Sequence, residues 1–415
     1  MSPKLNIWII QRGEPLPFEK NARKMRTGML IDKLVERGHD VLWWTSAFDH
    51  NKKDWRFKRD TEIVVTHNFK IFALKGIGYK KNISLSRYID HRIIAWKFKK
   101  LAPKKPKPDI LIASMPTYDL AYESVSYAKK NNIPVIVDIR DKWPDIFLNF
   151  FPSKLQKIAK LFLFNDFRMI KKTMMEADAL ISMMNSLLDW GLKYANRKKR
   201  ETDRVFYLGA KKVLNIKNVL NSELQSKLQN KFVISYISAF SNINNPEILI
   251  DCAKKLKNNK NIIFVLAGDG PLYKYIKEKA SNLANIVMIG WLNQNEISSI
   301  LQYSKIGIIP TPFLIEAFPN KVFTYLSSGL PIISALQGEL KSIIEKYQIG
   351  FYYPPNDVEA LANCILKLYN NPQLYKTMAE NVKKIFDEMF DADKIYNNYA
   401  NYIEDFFYSY KKGNK

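Results

Sequence analysis

Short apolar runs alternate with amphipathic helical stretches in two successive series, and this limits the possible folds more than any other feature of the chain. In the first series Leu5–Gln11, Asp40–Thr45, Asp109–Ser114, Pro134–Ile139 and Ala179–Ser182 read as strands. An amphipathic helix is expected over Ala22–Arg37, stopped by Gly38. The turn Leu208-Gly209-Ala210 closes this series, with a domain boundary expected within residues 205–230. A second series follows with strands at Phe232–Ile237, Ile262–Ala267, Ile286–Ile289, Ile306–Pro310 and Pro331–Ser334. Apolar strands separated by helices belong to parallel sheets covered on both faces. The expected fold class is therefore α/β, with Rossmann-like domains over 1–208 and 209–385. The end of the chain, 386–415, is helical and rich in Tyr and Phe. In open parallel sheets ligands sit beyond the carboxyl ends of the strands, so the segments just after each strand carry the functional reading.

The 415 residues suffice for two or three domains with cores of their own. No apolar run approaches the roughly 18 residues that span a bilayer. The first residues, Met-Ser-Pro-Lys-Leu-Asn-Ile-Trp-Ile-Ile, lack the layout of a signal peptide and read as a first strand. Two cysteines, Cys252 and Cys364, imply no disulfide framework, and a cytoplasmic location is the expectation. No His, Cys and carboxylate cluster has metal-ligand spacing, so no metal is expected. His39 reads as a turn residue after Gly38, and His50 and His67 as surface residues.

The stretch Glu316 to Ser334 is the most informative motif. A polar loop carrying Glu316 and Lys321 leads into a short helix with Val322, Phe323 and Leu326 on its apolar side. Ser328-Gly329 ends that helix, and Leu330–Ser334 forms a buried strand. A helix N-terminus offers unpaired N–H groups and a positive dipole end, which suit a diphosphate. Lys321 adds a full charge, and Glu316 is placed to accept hydrogen bonds from sugar hydroxyls. The bland alternative is an ordinary helix–turn–strand unit.

This motif resembles the nucleotide-sugar signature of the retaining glycosyltransferases of family four, which adopt the GT-B fold: two Rossmann-like domains with parallel sheets facing across a cleft, and a C-terminal helix crossing back onto the first. The signature carries two glutamates eight positions apart; here the first is Glu316, and the second position holds Thr324, whose hydroxyl is shorter and uncharged. The resemblance implies that Glu316 contacts the donor sugar, Lys321 the diphosphate, and Asn320 and Thr324 the nucleotide. It also implies that the loop at Gly13 and Glu14, after the first strand, approaches the diphosphate. Gly268-Asp269-Gly270-Pro271 matches the family's Gly-Asp-Gly-Pro turn, and Gly290-Trp291 the position that reads the base. The alternatives are a plain turn with Asp269 capping the next helix, and a strand end with a buried tryptophan. Val137 to Asp145 resembles the Asp-x-Arg-Asp-x-Trp-Pro motif of the O-antigen and capsule branch, which places Asp141 and Arg140 at the reacting centre or acceptor. The competing reading is a salt-bridged turn anchored by Trp143. One departure stands out. Classical members carry Arg and Lys after the first strand of the second domain, but Ser238–Pro246 holds no cation. Lys321 is then the candidate on that side, helped by backbone N–H groups at Ala239–Ser241.

Charge is unevenly spread. Residues 1–208 hold 41 Lys and Arg against 22 Asp and Glu, a net of +19; the remaining 24 and 18 leave +6. Such asymmetry points to an anionic surface facing the first half, or to a lysine-rich genome. Residues 79–108 carry ten cations against Asp90, interleaved with Ile89, Ile93, Ile94, Trp96, Phe98 and Leu101, and residues 154–172 offer a second basic, apolar helix. No nucleic-acid signature is present. The expectation is an enzyme that transfers a sugar, with retention, from a nucleotide donor such as a UDP-sugar to a lipid-linked saccharide, working at the inner face of a bacterial cytoplasmic membrane without a cofactor. A GT-B epimerase and a non-catalytic basic binding protein are the alternatives.

Overall fold

The computed structural model describes residues 3–19, 23–149, 151–212 and 218–413. They form two compact units. The first comprises the chain up to Tyr207 together with the residues from Tyr396 on, and the second comprises Leu208–Ile395.

The first unit contains β1 (Asn6–Ile10), β2 (Asp40–Ser46), β3 (Phe48–Asp49), β4 (Asp54–Trp55), β5 (Thr61–Thr66), β6 (Phe69–Leu74), β7 (Ile110–Met115), β8 (Val135–Ile139), β9 (Ala179–Ser182) and β10 (Arg204–Val205). Eight of them build one sheet in the order β10-β9-β8-β7-β1-β2-β6-β5, while β3 and β4 form a separate ribbon. All pairs in the large sheet are parallel except the edge pair β5–β6. The central strands β7, β8 and β9 are buried along their whole length, as strands covered on both faces must be. The first long helix runs Arg26–Glu36, not from Ala22, which lies outside the described residues. Both carboxylate oxygens of Glu14 accept from the N–H of Thr27, at 3.1 and 3.0 Å, so a residue distant in sequence caps the first turn and fixes its start. The last helix, Ala392–Gly413, is held to this unit from Tyr396 on. Glu404 accepts from Arg37 at 3.2 Å and from His39 Nε2 at 2.8 Å, while His39 Nδ1 accepts from the Leu5 N–H.

The second unit contains β11 (Phe232–Ile237), β12 (Ile262–Ala267), β13 (Ile286–Ile289), β14 (Ser304–Ile309), β15 (Ile332–Ser334) and β16 (Gly350–Tyr352), all parallel, in the order β13-β12-β11-β14-β15-β16. Alternate side chains of β11 and β12 feed two cores. Ile234, Tyr236, Phe264 and Leu266 enter the larger one, and Val233 and Val265 enter the smaller one on the opposite face. Numbered within the unit, the order is 3-2-1-4-5-6, the doubly wound arrangement whose direction of winding reverses between β11 and β14. All ten strands expected from the sequence are present. Those missed include the edge strands β5 and β16 and also β6, which lies inside the sheet between β2 and β5. Among the described residues no helix is long and apolar enough to cross a membrane.

Candidate functional site

In the second unit the carboxyl ends of β11 and β14 diverge. The two strands pair only through Val233–Ser235, which leaves the N–H of Ile237 without a strand partner. The hydroxyl of Tyr325, on the helix Asn320–Ser327, accepts that N–H at 2.9 Å. The tyrosine ring lies directly over Gly307 of β14: a Cβ there would stand 2.3 Å from the ring, so no larger residue fits without a shift. Tyr325 thus pins the helix across the point where the winding reverses. Four residues earlier, on the same helix face, Lys321 projects over the end of β11.

Lys321 Nζ donates to Ser238 Oγ at 2.8 Å and to Asn244 Oδ1 at 2.9 Å, and lies 5.5 Å from the ring centroid of Tyr236. The ammonium therefore enters the cation-free 238–246 loop. Its hydrogen bonds go to neutral oxygens, not to carboxylates. Burial without a counter-charge lowers its pKa to about 8. The loop is shaped from below by Gly268, at φ +140°. A Cβ there would fall 1.9 Å from the Ser238 carbonyl oxygen, so only glycine admits this approach. Asp269 does not cap the following helix. Its carboxylate accepts from the Gly270 N–H at 2.7 Å, and its carbonyl accepts from Phe240 N–H at 2.9 Å. The Phe240 N–H is thereby taken, and of the three backbone donors expected at Ala239–Ser241 it is not available to a ligand. Gly290 has open space where a Cβ would stand, and Trp291 is 73% exposed, which removes the alternative of a buried tryptophan. Glu316 is exposed and packs against Gly338, at the start of the helix Glu339–Tyr347. Asn320 opens the Lys321 helix, and the Thr324 hydroxyl donates to the Asn320 carbonyl at 3.3 Å, so that hydroxyl serves its own helix.

The expected residues of the first unit form a different kind of centre. Arg140 donates from Nε to Asp138 at 2.9 Å, from one terminal nitrogen to Glu14, and from the other to Thr27 and Ser114, each at 2.9 Å. Arg26 also meets Asp138, at 2.9 Å. Burial alone would raise the Asp138 carboxyl; the two guanidinium groups outweigh it and hold it below the usual range. Arg140 and Glu14 thus bond to each other inside the unit. Beside them Gly13 has a φ of +102° and open space where a Cβ would stand. Asp141 accepts from the Lys142 N–H at 2.8 Å and from Trp143 Nε1 at 3.0 Å, and burial raises its pKa. Trp143 is buried and anchors the turn, as the competing sequence reading had it.

Residues 221–385 match the family model Glycosyl transferases group 1. That region contains every residue of the second-unit site. The chain is 29% identical over 169 residues to the O-antigen chain mannosyltransferase C of Escherichia coli, covering 40% of this chain and 44% of that protein. It is 24% identical over 412 residues to the alpha-monoglucosyldiacylglycerol synthase of Streptococcus pneumoniae, covering 91% and 83%. The chain spans about half the length of the first curated relatives it matches. Among solved structures it is similar to Anabaena HepE in complex with UDP, with a TM-score of 0.67 at 17% identity over 97% of this chain and 100% of the other. This likeness shows the fold, which is GT-B.

One group escaped the sequence reading. His50 is not a surface residue: it is half-buried, with Nδ1 2.6 Å from the Tyr79 hydroxyl, and burial together with Lys53, Arg87 and Arg12 lowers its pKa to about 4. Arg12, Lys53 and Arg87 surround the Tyr79 ring at 5.4, 5.0 and 5.5 Å from its centroid. These cations come from three separate segments, so no local pattern announced them. Among the described residues no group of three or more His, Cys, Asp or Glu is placed to hold a metal ion.

Proposed function

We propose that the protein is a retaining glycosyltransferase that takes a UDP-sugar in its second unit and delivers the sugar to a lipid-linked saccharide in the building of a bacterial surface polysaccharide. The observation that carries this reading is Lys321, a half-buried ammonium bonded to neutral oxygens at the winding reversal of a doubly wound sheet. A cation held in this way gains most from an arriving anion. The helix that presents it adds a positive N-terminus. Together they stabilise the negative charge that grows on a departing UDP, the role that electrostatic groups play at reacting centres. No cofactor or metal is called for. Glu316 holds hydroxyls of the donor sugar, and the exposed Gly290-Trp291 segment meets the base. Arg140, tied to Glu14 and Asp138, positions the Gly13 loop and the turn carrying Asp141. The lipid-linked acceptor and a peripheral place on the inner membrane face draw support from the +19 charge of residues 1–208 and from the printed activities of the two relatives.

A panel of nucleotide sugars tests the reading. UDP-sugars should raise the melting temperature, and one of them should be consumed when lipid-linked saccharide is added. Release of an epimerised sugar without acceptor would replace transfer by epimerisation. Absence of any nucleotide effect would reject both.

A further inference from the structure

The first unit carries a cavity of about 630 Å³ between the start of the helix Leu85–Leu101 and the segment from Trp143 to Leu163. Its walls include Ile83, Leu85, Phe147, Phe151, Ile158 and Phe162. Several of these are open to solvent: Phe162 is 84% exposed and Leu85 73%. Solvent-facing apolar side chains in such a group mark a binding surface. The polar atoms of the wall are mostly used. Tyr88 and Tyr118 both donate to Asp166. A peptide laid in the cavity would leave its backbone groups unpaired, whereas a hydrocarbon chain needs no partners.

One end of the cavity is different. Arg87 and His91 line it. Arg87 lies 4.8 Å from the Trp143 ring centroid and 5.5 Å from that of Tyr79, and its Nε has no hydrogen-bond partner although buried. Lys53 is next to it, bonded to Asn82 of the same wall at 2.5 Å. Arg12 is behind, paired with Asp90. Burial first, and then repulsion from neighbouring cations, Arg12 on both and Arg87 on Lys53, lower the pKa of Lys53 and Arg87, and this outweighs Asp49 and Asp141 nearby.

We infer that this cavity binds one phosphate-bearing lipid, with the hydrocarbon chain along the wall of Phe147, Ile158 and Phe162 and the phosphate at Arg87 and Lys53. Charge complementarity selects the occupant. An apolar trough that ends in uncompensated cations fits an amphiphile with an anionic head, and neither a neutral lipid nor a free phosphate uses both parts. Lys154, Lys157 and Lys160 are exposed and alternate in sequence with the wall residues Leu155, Ile158 and Ala159. The inference rests on the proposed transfer to a lipid-linked acceptor only for its biological meaning; the site itself is tested by binding alone.

Calorimetry on the full chain without nucleotide sugar is the test, with geranylgeranyl monophosphate below its micelle concentration as the probe. The parent should bind it. Ile158→Asp with Phe162→Asp should weaken binding about tenfold or more, and Phe162→Asp alone by less. Both wall residues are exposed, and an unchanged unfolding midpoint of the full chain checks that the variant is folded. Arg87→Gln should weaken the monophosphate about tenfold while leaving geranylgeraniol unaffected. Equal binding of alcohol and phosphate would overturn the anionic end. Unchanged binding by the double wall variant would overturn the trough. Binding only to vesicles of anionic lipid, and not to the monomeric probe, would reduce the surface to membrane adhesion and overturn the inference. Lipid binding intact with no sugar transfer would sink the proposed function instead, and transfer to a soluble saccharide with no lipid binding would sink only this one.

Discussion

The two units place charge at their strand ends in opposite ways. In the first, Arg26, Arg140, Asp138 and Glu14 meet each other, so burial is offset by countercharge. In the second, Lys321 is half-buried against a serine and an asparagine. The first arrangement is complete without a ligand and holds loops in place. The second is unfinished and gains its missing charge only from an anion. Density of charged residues in a segment is therefore no measure of how much of its charge is left for a ligand. Val137–Asp145 looks the more reactive segment, yet most of its charges are spent on architecture.

Substitutions can break that contrast. The largest effect belongs to Lys321→Ala, which should lower turnover by about 10²-fold or more, the scale for losing one group that stabilises developing charge. Near-normal turnover in a folded variant would make Lys321 a structural residue like Arg140. Next comes Tyr325→Phe. Removing the hydroxyl leaves the Ile237 N–H unpaired and should cost about 1–3 kcal/mol in denaturant unfolding. An unchanged midpoint would mean that this bond does not hold the helix across the β11–β14 gap. Glu316→Gln should weaken UDP-sugar binding about tenfold while UDP itself binds as before, since an amide accepts weaker hydrogen bonds than a carboxylate. Equal loss of both ligands in calorimetry would move Glu316 from sugar to nucleotide or to the support of Gly338.

The smallest effect concerns the basic stretch of the first unit. Lys97, Lys99 and Lys105 pair with Asp60, Glu123 and Glu62. Surface pairs of this kind, here half-buried on at least one side, are worth little, about 0–1 kcal/mol, and their charge is already neutralised locally. Changing the three to glutamine should reduce cosedimentation with anionic liposomes by no more than about threefold. A complete loss would show that these lysines leave their partners at a membrane surface.

The parallel sheets were legible because their strands are apolar on both faces and separated by helices of ordinary length. β5 was not, since its residues alternate between half-buried and exposed, and β16 was too short to register. In the second unit the turn at Gly268 and the short helix that carries Lys321 were legible, because glycine punctuation and an amphipathic run mark them locally. What the sequence hid was tertiary. The capping of Thr27 by Glu14 and the grouping of three cations around Tyr79 join residues with no local pattern between them. Lys321 reaching Ser238 spans 83 positions and was reachable only by noticing the missing cation.

The central claim is that Lys321 is the charge that receives the diphosphate, and its depressed pKa makes the claim measurable. With its pKa lowered by burial to about 8, Lys321 should be mostly charged at pH 7 and lose its charge as pH rises through 8. UDP affinity should therefore be full at pH 7 and fall as pH rises through 8 towards 9, by about tenfold for each pH unit at most, the limit for losing one proton-linked charge. In Lys321→Gln, affinity should be weak throughout and flat over the same range. A parent and a variant with the same pH profile would contradict the account, because some other group would then be holding the diphosphate.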